Sequence, residues 1–313
     1  MAGDGPMSPL AASLEDYLQL RRALGHKLDD VGRQLARFVV YLDDIGEQTV
    51  TMETALAFVL DADLDPASSV PSRRLTAVRG FARHLAGSDA RTEIPPAGLV
   101  SYRARRRTPH LFSDDDVNAV AASAGASTPF PLRAATLTTM IGLLAVTGMR
   151  VGEAIRLNRD DIDFGDAVIF VRDTKFSKGR NVPVSASTID ALAAYARLRD
   201  RARPGTTRFF VSLSGTPIAY SHFETTFRHA VTTSGIAAGS PIHPRIHDLR
   251  HSYAVRTLLG WYRAGLDIDA LLPRLSTYLG HREPRFTYHY LTATPELLGA
   301  AAARLEATRQ TVL

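Results

Sequence analysis

The chain has 313 residues, 45% hydrophobic and 22% charged, which supplies apolar material for real cores and excludes a disordered polymer. It has no cysteine, so disulfides, thiolate metal sites and thiol nucleophiles are all ruled out. The formal net charge of +5 is uneven: residues 1–69 hold 5 basic and 12 acidic side chains, whereas residues 70–107 hold 9 arginines against Asp89 and Glu93. A basic block beside an acidic one points to a polyanion partner. No apolar run is long enough to span a bilayer and the N-terminus lacks a secretory pattern. A cytoplasmic protein with no membrane partner is therefore expected. The length suits two domains better than one.

Residues 1–9 read as a loose tail. Leu10, Leu14, Tyr17, Leu18 and Leu24 then form a helical stripe. A second helix is expected over Leu28–Ile45, with Val31, Leu35, Phe38, Val39 and Leu42 on one face and Gly46 as its stop. Thr51 caps a third helix carrying Leu56, Phe58 and Val59. The fourth starts near Pro71, turns Leu75, Val78, Phe81 and Leu85 inward, and ends at Gly87. Together these make an all-α N-terminal domain. The fourth helix carries Arg73, Arg74, Arg79 and Arg83 largely off its apolar stripe, as a solvated face or a phosphate-facing one. It leads through Ile94-Pro95-Pro96-Ala97-Gly98, of linker composition, to Arg103, Arg105, Arg106 and Arg107. A basic linker between two domains suits a protein that wraps a duplex, neutralising phosphates without reading sequence.

The second domain opens at Ser113-Asp114-Asp115-Asp116, a capping box with acids where the helix dipole favours them. An apolar helix over Leu132–Val146 is broken at Gly148. Arg150 and Glu153 follow, three apart, so the carboxylate can orient the guanidinium; alone, this pair reads equally as a structural ion pair. Residues 167–173 and 180–185 are strand-like, and the turn from Thr174 to Gly179 holds Lys175 and Lys178. With Lys27 these are the only lysines against 34 arginines. Helices are expected over Ala186–Arg201 and Tyr220–Ser234, with a short strand at Phe209–Ser212 between them. A last alanine-rich helix begins at Pro295.

The stretch from His247 to Tyr290 carries the densest chemistry. His247 and Arg250 are three apart and share one face of a helix, where an imidazole and a permanent cation suit a phosphate oxygen. His281 adds a proton carrier, and Tyr290, nine residues on, a nucleophile. Tyr288 competes with Tyr290 for that part. Each item alone reads as a surface pair or a core tyrosine. A metallohydrolase is a rival reading, because His247 and His251 are spaced i, i+4 as in a zinc helix. It puts the shorter Asp248 where a glutamate is needed and leaves the arginines and Tyr290 unexplained.

Thr147-Gly148-Met149-Arg150-Val151-Gly152-Glu153 resembles the first signature of the tyrosine recombinases, the phage integrase family. His247-Asp248-Leu249-Arg250-His251-Ser252 is similar to the second, and Leu279-Gly280-His281 with Tyr290 to the third. More weakly, Ser72-Arg73-Arg74-Leu75 to Leu85 resembles a DNA-contacting helix of the family's core-binding domain. The resemblance implies a mainly α fold: a four-helix, SAM-like core-binding domain at 1–94, a basic linker at 95–110, and a mixed α+β catalytic domain with a small antiparallel sheet at 111–313. It implies a simple site-specific recombinase or integrase acting on double-stranded DNA through a 3′-phosphotyrosyl intermediate and a 5′-hydroxyl, with no metal, ATP or other cofactor.

Residue by residue, it implies Tyr290 as nucleophile, Arg150, Arg250 and His281 on the non-bridging oxygens, and His247 assisting proton transfer. Lys175, eight residues before Pro183, would protonate the leaving oxygen, and Glu153 would support Arg150. The turn departs from the family's glycine-rich form, which puts the lysine's place in doubt, and His289 has no role in the motif. Self-association on DNA is implied, as a tetramer in the synapse, with a C-terminal helix docking on a neighbour. Alternatives within the same resemblance are a type IB topoisomerase-like relaxing activity and a catalytically silent DNA-binding regulator.

Overall fold

The computed structural model describes residues 8–26, 28–60, 68–100, 108–172, 179–236, 238–239, 243–281, 283, 285–292, 297, 299 and 302, with backbone only at 289 and 292. The chain divides into two compact units, Met1–Arg106 and Arg107–Leu313.

In the first unit, Ser8 caps α1 (Pro9–Ala23) by accepting from the Ala11 amide at 3.1 Å, with Pro9 at the first helical position where no donor is missed. The helix buries Leu10, Leu14 and Tyr17. Leu24, placed by its spacing on the same stripe, is the C-cap and stays exposed. α2 (Asp29–Asp44) starts with two aspartates at its positive end and buries Leu35, Phe38, Val39 and Leu42. Thr51 and Thr54 close a reciprocal cap on α3 (Met52–Val59). α4 (Val70–Leu85) buries Leu75, Val78, Phe81 and Leu85. Gly80 lets α1 approach, because a Cβ there would meet the Tyr17 hydroxyl at 2.7 Å.

The second unit begins with α5 (Asp114–Ala126), capped reciprocally by Ser113 and Asp116, and α6 (Pro131–Thr147). Gly148 ends α6 at φ +61, so the chain reverses at once into α7 (Val151–Arg156). The sheet has β1 (Ile162–Asp163), β2 (Val168–Val171) and β3 (Arg180–Pro183) in that order, all antiparallel, with Ile169 opposite Val182. Both side chains are fully buried, which fixes the register. α8 (Ala186–Ala202), α9 (Tyr220–Thr233), α10 (Ile246–Arg263), α11 (Ile268–Leu279) and the short α12 (Arg285–Tyr288) follow, with a 3₁₀ turn at His289–Thr292. Helices α5, α6, α8 and α9 and the sheet share one core. α10 and α11 close a second one, which includes Tyr290.

Phe209–Ser212 is not a strand. Within it Val211 makes an isolated bridge with Pro217, and just before it Arg208 makes one with Asn158. Its apolar run serves packing instead: Phe209 meets the Tyr195 ring edge-on and Phe210 meets it tilted, with centroids 5.3 and 5.2 Å away. The start of the last alanine-rich helix at Pro295 lies outside the described residues, as do Lys27, Lys175, Lys178, Arg103, Arg105, Arg106 and Arg107. No described helix is long and apolar enough to cross a membrane.

Candidate active site

Two helix ends and one helix start build the site. Gly148 at the end of α6 and Gly280 at the end of α11 (φ +68) are both left-handed, and both are packed too tightly for a side chain. A Cβ on Gly148 would meet the Tyr253 ring at 2.7 Å, and one on Gly280 would meet the Arg180 guanidinium at 2.6 Å. Between these turns, α10 delivers His247, Arg250 and His251 from its first turns. That start is held by buried Asp248, which accepts from the Arg245 amide at 2.9 Å.

Arg250 is 2% exposed. Its Nη1 donates to the Gly148 carbonyl at 2.7 Å and its Nη2 to the Leu279 carbonyl at 2.8 Å. Arg150 stands more open, with 43% of its side chain exposed. Its Nη1 donates to Glu153 Oε1 and its Nη2 to the Gly280 carbonyl, both at 2.9 Å. A third arginine, which sequence reasoning passed over, joins them. Arg180 on β3 donates through Nε to the Tyr278 carbonyl at 2.7 Å and through both Nη atoms to Glu153, at 3.1 and 2.8 Å. Three consecutive carbonyls at the end of α11 thus each accept from a different guanidinium. A helix C-terminus leaves such carbonyls unpaired and carries partial negative charge, so cations are the favoured partners. The signal in the sequence was an arginine opening a strand, which no periodicity marks.

Tyr290 is 1% exposed. Its ring lies parallel to that of His281, 6.1 Å away, and edge-on to His251 at 5.3 Å, while His251 meets His247 edge-on at 4.9 Å. His281 is oriented by Thr287, whose hydroxyl lies 2.7 Å from Nδ1. Tyr288 is 51% exposed. The structure therefore gathers Arg150, His247, Arg250, His281 and Tyr290, with Glu153 behind Arg150. Arg73, Arg74, Arg79 and Arg83 lie on α4 of the other unit. Arg74 is committed there, donating to the Phe58 carbonyl at 3.0 Å and covering the Phe58 ring.

Burial raises the Tyr290 phenol above its ordinary pKa, opposed by the charge and hydrogen bond of Arg250 and the charge of Arg150. The phenol is protonated at neutral pH. Arg250 is brought down to about 10 by burial first and by the neighbouring charge of Arg150 second, and stays cationic. The ring of His247 keeps access to solvent, yet partial desolvation and then the charge of Arg250 lower its pKa, so it is a neutral proton acceptor at pH 7. Burial opposes ionisation of Glu153, but hydrogen bonds and charge from Arg180, then Arg150, hold it at about 2. Fixed cations, a desolvated hydroxyl and a neutral imidazole can activate a nucleophile beside an oxyanion. The zinc reading fares poorly: among the described residues no three His, Cys, Asp or Glu converge on a metal position.

The family model described as "Phage integrase family" matches residues 113–296. A putative integrase/recombinase, y4rB, of Sinorhizobium fredii is 38% identical over 311 residues, covering 96% of this chain and 98% of the relative. The tyrosine recombinase XerD of Mycobacterium tuberculosis is 29% identical over 319 residues, covering 93% and 96%. Among solved structures, the XerH site-specific recombinase bound to palindromic difH substrate, in a post-cleavage complex, matches with a TM-score of 0.65 at 18% identity, covering 95% of this chain and 85% of that one.

Proposed function

The chain belongs to the phage integrase family and is a site-specific tyrosine recombinase, and from that premise we propose that Tyr290 cuts DNA by in-line attack on a backbone phosphorus. The phenolic oxygen forms the new P–O bond and the P–O5′ bond breaks. The products are a 3′-phosphotyrosyl enzyme and a free 5′-hydroxyl. Attack by another 5′-hydroxyl reverses the step, so the bond energy is conserved and strands rejoin with no metal or ATP. The observation that carries this reading is the placement of the buried Tyr290 ring, packed between His281 and His251 with His247 next to His251, where the charges of Arg250 and Arg150 reach its hydroxyl.

A phenol with an ordinary pKa of about 10 is a poor nucleophile at neutral pH. Neutral His247 is suited to take its proton, and help of that kind is worth roughly 10²–10⁴ in rate. Arg150, Arg250 and His281 are assigned to the non-bridging oxygens, where negative charge gathers in the transition state. Their hydrogen bonds to fixed carbonyls and to Thr287 mean that little reorganisation is needed when the phosphate arrives. Arginine cannot give up a proton, so the departing O5′ is assigned to Lys175.

The partner is double-stranded DNA. XerH was captured on a palindromic substrate, and the same two-fold logic suits this chain: one protomer on each half-site, a tetramer in the synapse, and a C-terminal segment docked on a neighbour. Arg79 and Arg83 on α4, with Arg103, Arg105, Arg106 and Arg107, are assigned to phosphates. Tyr290→Phe is expected to abolish SDS-resistant covalent trapping on a nicked suicide substrate while DNA affinity persists. A normal adduct yield from that variant overturns the assignment.

A further inference from the structure

The bonds around Glu153 give Arg180 a specific task. The carboxylate carries one negative charge and faces two guanidiniums. Arg180 meets both of its oxygens, while Arg150 takes one with its side chain and the other with its amide, the latter at 2.9 Å. Arg180 also anchors the Tyr278 carbonyl, two residues before the Gly280 carbonyl that receives Arg150. It is mostly enclosed, with 14% of its side chain exposed, and packs directly over Gly280.

We propose that Arg180 is a positioning residue for phosphate capture: by sharing Glu153 and bracing the 278–280 turn, it leaves Arg150 with unneutralised charge aimed at the scissile phosphate. This rests on the assignment of Arg150 to that phosphate. Two opposite charges in close contact largely cancel at a distance, so a Glu153–Arg150 pair alone presents little field to a third charge. Adding Arg180 makes the group net positive. The same addition removes the reason for Arg150 to collapse onto Glu153 with both arms, because both carboxylate oxygens already hold strong donors. Lysine cannot substitute fully, since it lacks the planar fork that reaches a carboxylate and a carbonyl together.

The test is single-turnover cleavage by Arg180→Gln at saturating DNA on three suicide substrates. One has the natural phosphate. The second has a methylphosphonate at the scissile position, where a methyl replaces one non-bridging oxygen and removes the charge. The third has a 5′-bridging sulfur, a leaving group that needs no proton. On the natural phosphate the rate should fall about 10- to 100-fold, a fraction of what losing a direct donor costs. On the methylphosphonate the defect should shrink to under about threefold, because a neutral phosphorus asks little of the clamp. On the sulfur substrate it should persist. Adding Glu153→Gln should cost nothing further if both residues act through Arg150.

An unchanged rate on natural DNA, an undiminished defect on methylphosphonate, or a defect that vanishes on the sulfur substrate each overturns the proposal. Should Arg180→Gln fail to fold, Arg180→Lys is read the same way, with a smaller loss expected. Tyr290→Phe on the natural substrate is the control for the underlying reading. An adduct from that variant removes the premise, whatever Arg180 does.

Discussion

Arginine is held in two different ways in the two units of this chain. On α4 of the first unit the guanidiniums other than that of Arg74 are held loosely. Arg73 makes only a 3.9 Å contact with exposed Asp30, and among the described residues no hydrogen bond or ion pair engages Arg79 or Arg83. In the second unit Arg150, Arg180 and Arg250 are each bound to a named backbone carbonyl, and two of them also to a buried carboxylate. Loose cations tolerate many phosphate positions and pay for ordering only on binding, which suits contact with a backbone that is the same at every step. Fixed cations have lost that freedom during folding, so they meet the charge of a transition state without moving. On the proposed reading the same side chain serves affinity in one place and chemistry in the other, and its partners tell which.

Removing a fixed arginine should do the most. Arg250→Ala is expected to slow single-turnover cleavage by at least about 10²-fold, comparable to losing one oxyanion donor. It should also lower stability by roughly 2 kcal/mol, because the Gly148 and Leu279 carbonyls lose their donor. Rapid-quench cleavage and chemical denaturation measure the two losses, and a variant of wild-type rate would break the contrast outright.

The buried carboxylate shared by the fixed set leaves a signature in acid. Glu153 sits at about 2 in the folded chain against an ordinary 4.5. Its folded pKa is depressed, so its contribution is fully present above 4.5 and is lost as pH falls toward 2, where the unfolded chain takes up the proton first. Between pH 5 and pH 3 the loss should be on the order of 2 kcal/mol. Unfolding curves of Glu153→Gln should lack that part of the acid dependence; an identical slope in both proteins would show that the carboxylate is not held as described.

The smallest effects belong to α4. Arg79→Ala and Arg83→Ala should each weaken DNA binding equally across sequences and reduce the salt dependence by about one counterion. Cleavage at saturating DNA should be unchanged. A fall in that rate would place these arginines with the fixed class.

Much of the site was legible because its parts lie close in sequence. His247 and Arg250 share a face at a spacing of three, Arg150 and Glu153 do the same, and Gly148 marks the stop that aims Arg150. The Ser113–Asp116 cap could be read from its own four residues. Arg180 could not, since its partners are a carboxylate 27 residues earlier and a carbonyl 98 residues later. Nothing local distinguishes a strand arginine that reaches a helix end from one that faces solvent. Phe209–Ser212 failed for the opposite reason: an apolar run was read as a ladder when it was feeding an aromatic core. The two-residue β1 is too short to leave a pattern at all.

The end of α11 also sets a clock on synthesis. Its three carbonyls receive donors made 98, 29 and 130 residues before them, so the pocket needs nearly the whole polypeptide. The first unit contains its own core and can finish folding while the ribosome is still at work. On the proposed reading, the α4 arginines are therefore in place to meet a duplex before the chain can break one, and cleavage waits until translation has passed α11 and Tyr290 beyond it.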